Sequence, residues 1–284
     1  METTELRQHA LGEADLEGAL ALVREAGWNQ VAADWRTFFE LGAAYGLSTP
    51  SGRLVATAAT LPYPSGFGWI SMVLVAQASR RQGIATGLLG RCIAALKAAG
   101  IVPVLDATPA GREVYRPLGF RDGWSIQRWR RAGGTLQAAG SLPVHPLADV
   151  DWPALRELDA AAFGCDRTPL LSRLRSRSGS FACVAGEGGR LRGFLLGRDG
   201  RTATQIGPIV AEDEATAAAL AAWATARIGS TAIVDALQRH EGFSRWLAAN
   251  GFEKERPYTR MALDRDELFG DPGRMIAIAG PELG

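Results

Sequence analysis

The sequence predicts an α/β protein of two tandem domains, in which apolar strands alternate with amphipathic helices. Three observations lead to this prediction. Strand-like and helix-like periodicities alternate along the chain. The same order of segments returns in the second half at offsets of about 129 to 137 residues, which indicates a duplicated domain rather than a solenoid. The length of 284 residues suits two domains of about 100–200 residues each.

The first half alternates between helical and strand periodicity. Leu16, Leu20 and Val23 recur at helical spacing. Pro and Gly over 62–68 predict a turn, and Gly100 stands in the C′ position of a long helix. The predicted segments are, as helices, residues 14–26, 31–41, 84–99 and 113–118 and, as strands, residues 53–61, 69–75, 101–105 and 119 toward 129.

A Gly- and Pro-containing stretch over 132–146 separates the halves. We therefore predict a first domain over 1–132, a linker over 133–146 and a second domain over 147–284. The helix over 152–163, the strand over 206–210 and the helix over 215–228 repeat segments of the first half. Gly251-Phe252 repeats Gly119-Phe120.

Composition excludes several classes of function. The net charge is +1 and the sequence pI about 7.8, so no basic field favours nucleic acid. Three separated cysteines without a CxxC pair indicate free thiols and neither a disulfide framework nor a zinc site. The polar start of the sequence does not resemble a signal peptide, and no apolar run is long enough to span a membrane. A cytoplasmic location is expected.

The segment over 73–86 carries the clearest chemical signal. An apolar strand is followed by a short polar turn and then by a helix. The first amides of that helix and its dipole suit a diphosphate. Gly83 and Ala85 allow close approach of the backbone, and Thr86 adds a hydroxyl. A lone glycine turn could equally be an ordinary helix start, but there is neither the Lys of a kinase P-loop nor the pattern of a dinucleotide fold.

Arg80-x-x-Gly83-x-Ala85 resembles the Arg/Gln-x-x-Gly-x-Gly/Ala signature of the GCN5-related N-acetyltransferase (GNAT) superfamily. The segment 105–120, which closes with Tyr115-x-x-x-Gly119-Phe120, resembles that family's last strand and helix. The resemblance covers roughly residues 3–130. It implies two GNAT-like domains, each a mixed twisted sheet flanked by helices, with acetyl-CoA between two splayed strands and no metal. The implied cofactor contacts are Val73, Leu74, Val75, Arg80, Arg81, Gln82, Gly83, Ile84, Ala85, Thr86 and Thr108.

Two residues are candidates for proton transfer. By resemblance, Tyr115 is the general acid for the leaving thiolate, although a core tyrosine would fit the same position. Asp106, at the end of a strand, is a candidate base, and the alternative that it caps a turn is slightly favoured. Thr108 stands where many relatives have Asn. A backbone amide at Leu74 or a neighbour is the candidate donor to the carbonyl oxygen.

The second half lacks the turn with Arg80 and Gly83 that precedes the helix in the first half. An acidic run over 211–214 replaces the basic one and would repel a diphosphate, and Leu247 stands opposite Tyr115. The tail Ala277-Ile-Ala-Gly-Pro-Glu-Leu-Gly284 resembles that of the C-terminal domain of tandem acetyltransferases, and the second half is expected to shape the acceptor site or only to stabilise the fold.

Three functions remain open on the sequence. The first is an acetyl-CoA-dependent N-acetyltransferase for a small-molecule or peptide amine, without nucleic acid or membrane partners and compatible with a homodimer. The second is an acyl-CoA-binding sensor without turnover, which the lack of a Glu on the central strand favours. The third is an interaction protein in which both halves are inactive, which the intact motif disfavours.

Overall fold

The computed structural model describes residues 6–134, 142–188 and 190–284. The chain divides into two compact units, Met1–Leu105 and Asp106–Gly284. This division falls before the predicted linker over 133–146, of which residues 135–141 lie outside the described part of the chain. The domain limits 1–132 and 147–284 stay a prediction.

In the described part of the first unit, paired strands are accompanied by three α-helices. Its elements in chain order are β1 (Arg7–Ala10), α1 (Leu16–Glu25), α2 (Ala32–Leu41), β2 (Ala43–Ser48), β3 (Leu54–Tyr63), β4 (Phe67–Val75), α3 (Ile84–Ala98) and β5 (Val102–Ala107), the last of which continues past the unit boundary. Strands β1 to β4 pair antiparallel in sequence order, and β5 pairs parallel to β4. Large apolar side chains such as Trp35, Phe38 and Phe67 are completely buried.

The second unit repeats this order of helices and strands and contains additional strands. Its elements are α4 (Pro109–Tyr115), β6 (Phe120–Arg131), β7 (Val144–Pro146), α5 (Trp152–Phe163), α6 (Thr168–Ser176), β8 (Phe181–Glu187), β9 (Arg190–Arg198), β10 (Thr204–Ala211), α7 (Glu214–Thr225), β11 (Ala232–Leu237), α8 (Glu241–Ala249), β12 (Glu253–Leu263) and β13 (Met275–Ala277). Strands β10 and β11 are buried along their whole length, as expected for strands covered on both faces.

Strand β6 explains why the first repeat does not form a unit by itself. It lies between β11 and β12 and pairs antiparallel with both, although its sequence belongs to the first repeat. Strands β7 to β10 pair antiparallel in order, and β11 runs parallel to β10. Because β6 pairs with strands of the second repeat, α4 and β6 belong to the second unit.

The predicted α/β class is confirmed, and several details of the element prediction are wrong, among them the three that follow. The predicted turn over 62–68 is shorter, since Pro62 and Phe67 already lie in paired strands. The helix predicted over 113–118 begins at Pro109, because Thr108 caps it and proline is favourable in the first turn. Strand β2 was not predicted, because its alanines and Gly46 carry little strand signal.

Candidate active site

A β-bulge interrupts β4 in the middle of the predicted motif. Ala59 pairs with Ser71 and Thr57 pairs with Leu74, so β4 contains one more residue than β3 between these pairs. Met72 lies in the bulge with a φ of 54°, a left-handed conformation that is rare for a residue with a side chain. The Thr57 hydroxyl donates a hydrogen bond to the Met72 carbonyl oxygen at 2.8 Å.

The recorded pairing of β4 with β5 ends before the bulge. Within the described residues, the recorded pairing of the two strands runs from Phe67 with Val102 to Trp69 with Val104. Strand β4 then continues to Val75. The splayed strand that the family resemblance implies is therefore present in the first unit.

The backbone of β4 after the bulge exposes one edge. The Ala76 amide donates to the Val55 carbonyl of β3 at 2.8 Å. Since successive residues of a strand point to opposite sides, the Leu74 amide is directed toward β3 and the Val75 amide away from it. This alternation disfavours Leu74 and favours its neighbours as the backbone donor to a ligand.

A short turn connects β4 to α3. A 3-10 turn over Gln77–Ser79 follows the strand. The Arg80 guanidinium Nε then donates to the Val75 carbonyl oxygen at 3.1 Å. Arg80 thus anchors the turn to the strand end, and its predicted contact with the cofactor stays a prediction. Arg81 and Gln82 are exposed in the same turn.

Helix α3 begins with amides that no side chain caps. Its N-cap is Gly83, which has a left-handed φ of 75° and provides no side-chain hydrogen bond. The amides of Ile84, Ala85 and Thr86 belong to the first turn, where no earlier carbonyl of the helix is available. A Cβ at Gly83 would meet no atom within 4 Å, so the N-cap position of the helix is open. Uncapped first-turn amides, the helix dipole and free space at the N-cap are the features that anion binding at a helix start requires.

Tyr115 lies at the end of α4, in the second unit. Its ring lies 6.1 Å from the ring of Phe120, and burial raises the pKa of its phenol above the ordinary value of 10.0. The phenol is protonated at neutral pH, as an ordinary tyrosine is, and so has a hydrogen to donate. Gly111 packs against this ring, because a Cβ there would lie 3.0 Å from Tyr115 Cε2.

The structure disagrees with the role of base considered for Asp106. The Arg260 guanidinium holds its carboxylate through two hydrogen bonds of 2.8 and 2.9 Å. The Asp106 side chain is 0% exposed and that of Arg260 is 2% exposed. Because a bidentate buried pair stabilises the ionised carboxylate and shields it from solvent, Asp106 is placed as a structural ion-pair partner.

Thr108 has the capping role that had been considered for Asp106. Its hydroxyl oxygen accepts a hydrogen bond from the Gly111 amide at 3.2 Å and so caps α4. Its O–H hydrogen can still be donated to a ligand. The predicted cofactor contact at Thr108 therefore stays a prediction.

The second unit contains the counterpart of the β4–β5 cleft, and the chain itself fills it. Strands β10 and β11 pair in parallel from Thr204 with Ala232 to Ile206 with Val234. Beyond these pairs, β13 inserts between the two strands, with Ala277 paired to both Ile209 and Ala236. We call residues 275–284 the inserted segment. The sequence prediction missed this insertion, and its apolar Met-Ile-Ala-Ile-Ala composition was the available signal.

Two buried arginines fix the inserted segment. Arg198 donates to the Ala279 carbonyl at 2.6 Å and pairs with Glu282 at 2.9 Å, with both side chains almost completely buried. Arg167 donates to the Gly284 carbonyl at 2.8 Å. The fit is close, since a Cβ at Gly207 would lie 2.1 Å from the Ile278 carbonyl oxygen.

Comparison with known proteins agrees with these two repeats. One model, described as an acetyltransferase (GNAT) family, matches residues 5–120, and another, described as an acetyltransferase (GNAT) domain, matches residues 155–277. The chain is a tandem GNAT protein. Membership in this family makes it an acyltransferase.

The alignments with similar proteins cover most of this tandem GNAT chain. The "Uncharacterized N-acetyltransferase YitH" of Bacillus subtilis (strain 168) is 24% identical over 247 residues, which cover 86% of this chain and 87% of that protein. A solved structure from Pyrococcus horikoshii has a TM-score of 0.84 at 17% identity, covering 100% of this chain and 98% of that one. A tandem GNAT protein from the clavulanic acid biosynthesis pathway has a TM-score of 0.65 at 14% identity, covering 93% and 100%.

The described residues contain neither a cluster of metal ligands nor a membrane-spanning helix. Among the described residues, no group of three or more His, Cys, Asp and Glu side chains is arranged to hold a metal ion. Over the same part of the chain, no helix is both long and apolar enough to cross a bilayer.

Proposed function

We propose that the first repeat of this tandem GNAT protein binds acetyl-CoA and that the protein transfers the acetyl group to a primary amine of a small molecule or peptide. The observation that carries the proposal is the uncapped start of α3 behind the bulged end of β4. In a GNAT protein, this combination of an anion site and an open strand edge suits a ligand with a diphosphate and an amide-containing arm.

The residues present fit this donor. Three first-turn amides follow the open N-cap position at Gly83, and the exposed Arg81 adds a positive charge in the turn. The backbone edge at Val75 can exchange hydrogen bonds with an extended amide, as an added strand would. Acetyl-CoA supplies an activated thioester when bound.

Two side chains of the protein are proposed to assist the reaction, Arg80 by orienting the site and Tyr115 by donating a proton. Arg80 fixes the turn relative to Val75, so that the strand edge and the helix start keep one geometry. We assign Tyr115 as the donor of a proton from its hydroxyl to the leaving sulfur, because it stands where the family resemblance implies the general acid; it then regains a proton from solvent. The described residues offer no replacement for Asp106 that the geometry supports, and the incoming amine is proposed to lose its proton to solvent.

A binding experiment tests the proposal. Acetyl-CoA should raise the melting temperature of the wild-type protein, because a ligand that binds the folded state stabilises it. Gly83→Glu should abolish the shift, since a carboxylate would fill the open space in front of the α3 amides.

The matched control is Gly100→Glu. Gly100 is also left-handed, with a φ of 69°, is exposed, and follows the other end of the same helix. It should unfold at a temperature similar to that of Gly83→Glu and keep the acetyl-CoA shift. Absence of any shift in the wild type at saturating acetyl-CoA would refute the proposed function.

A second candidate is an acyl-CoA-binding sensor without turnover. The engagement of Asp106 by Arg260 favours it, because it removes the acidic residue considered as a base. A screen of primary amines for release of the CoA thiol separates the two, since the sensor binds acetyl-CoA and releases no thiol with any amine.

A further inference from the structure

Met72 is a buried residue in a backbone conformation that side chains rarely adopt. Its φ is 54° and its exposure 1%. A residue with a side chain is kept in such a conformation only when its surroundings hold it there. The bulge of β4 therefore needs a neighbouring group that stabilises it.

Thr57 provides that group from β3. Its side chain is completely buried, and its hydroxyl donates to the Met72 carbonyl oxygen at 2.8 Å. The bond joins the two strands where their register shifts, between the pair Ala59–Ser71 and the pair Thr57–Leu74. A bulge leaves a backbone group outside the regular ladder, and a buried carbonyl in that position requires a donor.

The bulge decides what the end of β4 can bind. Ahead of it, β4 pairs with β5 as far as Trp69 and Val104. After it, Val75 directs its amide away from β3, and its carbonyl accepts the Arg80 side chain. A strand without the bulge would shift its register by one residue and turn these groups to the other side.

We propose that Thr57 is a positioning residue for the acyl-CoA site, whose hydroxyl holds the Met72 bulge and thereby fixes the open edge of β4 at Val73–Val75. The inference rests on the proposed function, since it assumes that this edge binds acetyl-CoA. Thr57 acts through the backbone of β4 and not by contact with the ligand.

Calorimetric titration with acetyl-CoA tests the inference. Thr57→Val keeps the side-chain shape and removes the donor, so it should bind acetyl-CoA about tenfold more weakly, the effect of leaving a buried carbonyl without its hydrogen bond. Thr57→Ser restores the hydroxyl and should bind within about twofold of the wild type, a smaller loss because the donor remains.

Thr60→Val is the matched control. Thr60 is a buried threonine of the same strand, paired with Ile70 ahead of the bulge. It should leave the acetyl-CoA affinity unchanged, even where it lowers the melting temperature. A merely structural Thr57 would lower the melting temperature of Thr57→Val without changing the affinity of the folded protein.

The outcomes separate this inference from the proposed function. A wild type that does not bind acetyl-CoA contradicts both. A wild type that binds, with Thr57→Val equal to it in affinity, overturns the role of Thr57 alone. If Thr57→Val does not fold, Thr57→Ala compared with Thr57→Ser gives the same test, since these two differ only in the hydroxyl.

Discussion

The two repeats differ most at the start of the helix that follows their central strand. In the first repeat, Gly83 precedes α3 and offers no side-chain cap. In the second, the Asp213 carboxylate caps α7 by accepting from the Thr216 amide at 2.7 Å. That hydrogen bond is the main reason why the pKa of Asp213 lies below its ordinary value, so the side chain is negatively charged at neutral pH. A helix start binds an anion only where its amides are free. The start of α3 has no side-chain cap, whereas the start of α7 is capped by a carboxylate.

The cleft between the two parallel strands is also open in the first repeat and filled in the second. Strand β4 separates from β5 and keeps an open edge, whereas β10 and β11 enclose β13. Two independent changes, an acidic cap and an inserted segment, thus remove the features of a cofactor site from the second repeat. Its fold is retained, because the inserted segment supplies the hydrogen bonds and the apolar contacts that the separated strands need.

The largest expected effect is on turnover, at Tyr115. Tyr115→Phe removes only the hydroxyl, so the rate of CoA thiol release with a responsive amine should fall about 10²–10⁴-fold, as for the loss of a general acid. The affinity for acetyl-CoA should be unchanged in calorimetric titration. Turnover equal to that of the wild type would remove Tyr115 as the acid.

A smaller effect is expected on stability when the inserted segment loses its anchor. Glu282→Ala leaves the buried Arg198 without its carboxylate and should lower the free energy of unfolding by about 3–5 kcal/mol. Denaturant titration measures this loss. Glu17→Ala is the control, since it breaks the exposed pair of Glu17 with Arg24 and should cost less than about 1 kcal/mol. Equal losses in both variants would contradict a specific role for the buried pair.

The sequence predicted the first repeat much better than the second. Turn chemistry and helix starts are local, so the sequence could place Arg80 in the turn and Gly83 before α3, where the structure has them, while their contacts with a cofactor stay predictions. The bulge at Met72 could not be predicted, since it depends on a hydrogen bond from Thr57 on another strand. The role considered for Asp106 was wrong for the same reason: its partner Arg260 is 154 residues away in the sequence.

The sequence also could not predict the position of the inserted segment or the pairing of β6 with β11 and β12, because both depend on residues far away in the sequence. An apolar run such as that over 275–279 predicts burial but not the strands against which it packs. The acidic run over 211–214, by contrast, was recognised from the sequence as unsuited to a diphosphate. The structure adds that one of its carboxylates already caps α7.

The number of acetyl-CoA molecules bound per chain tests the contrast between the repeats most directly. Calorimetric titration of the wild type should give one molecule per chain, and Gly83→Glu should bind none. Two molecules per chain, or one that persists in Gly83→Glu, would show that the second repeat binds acetyl-CoA and would contradict the assignment of the site to β4 and α3.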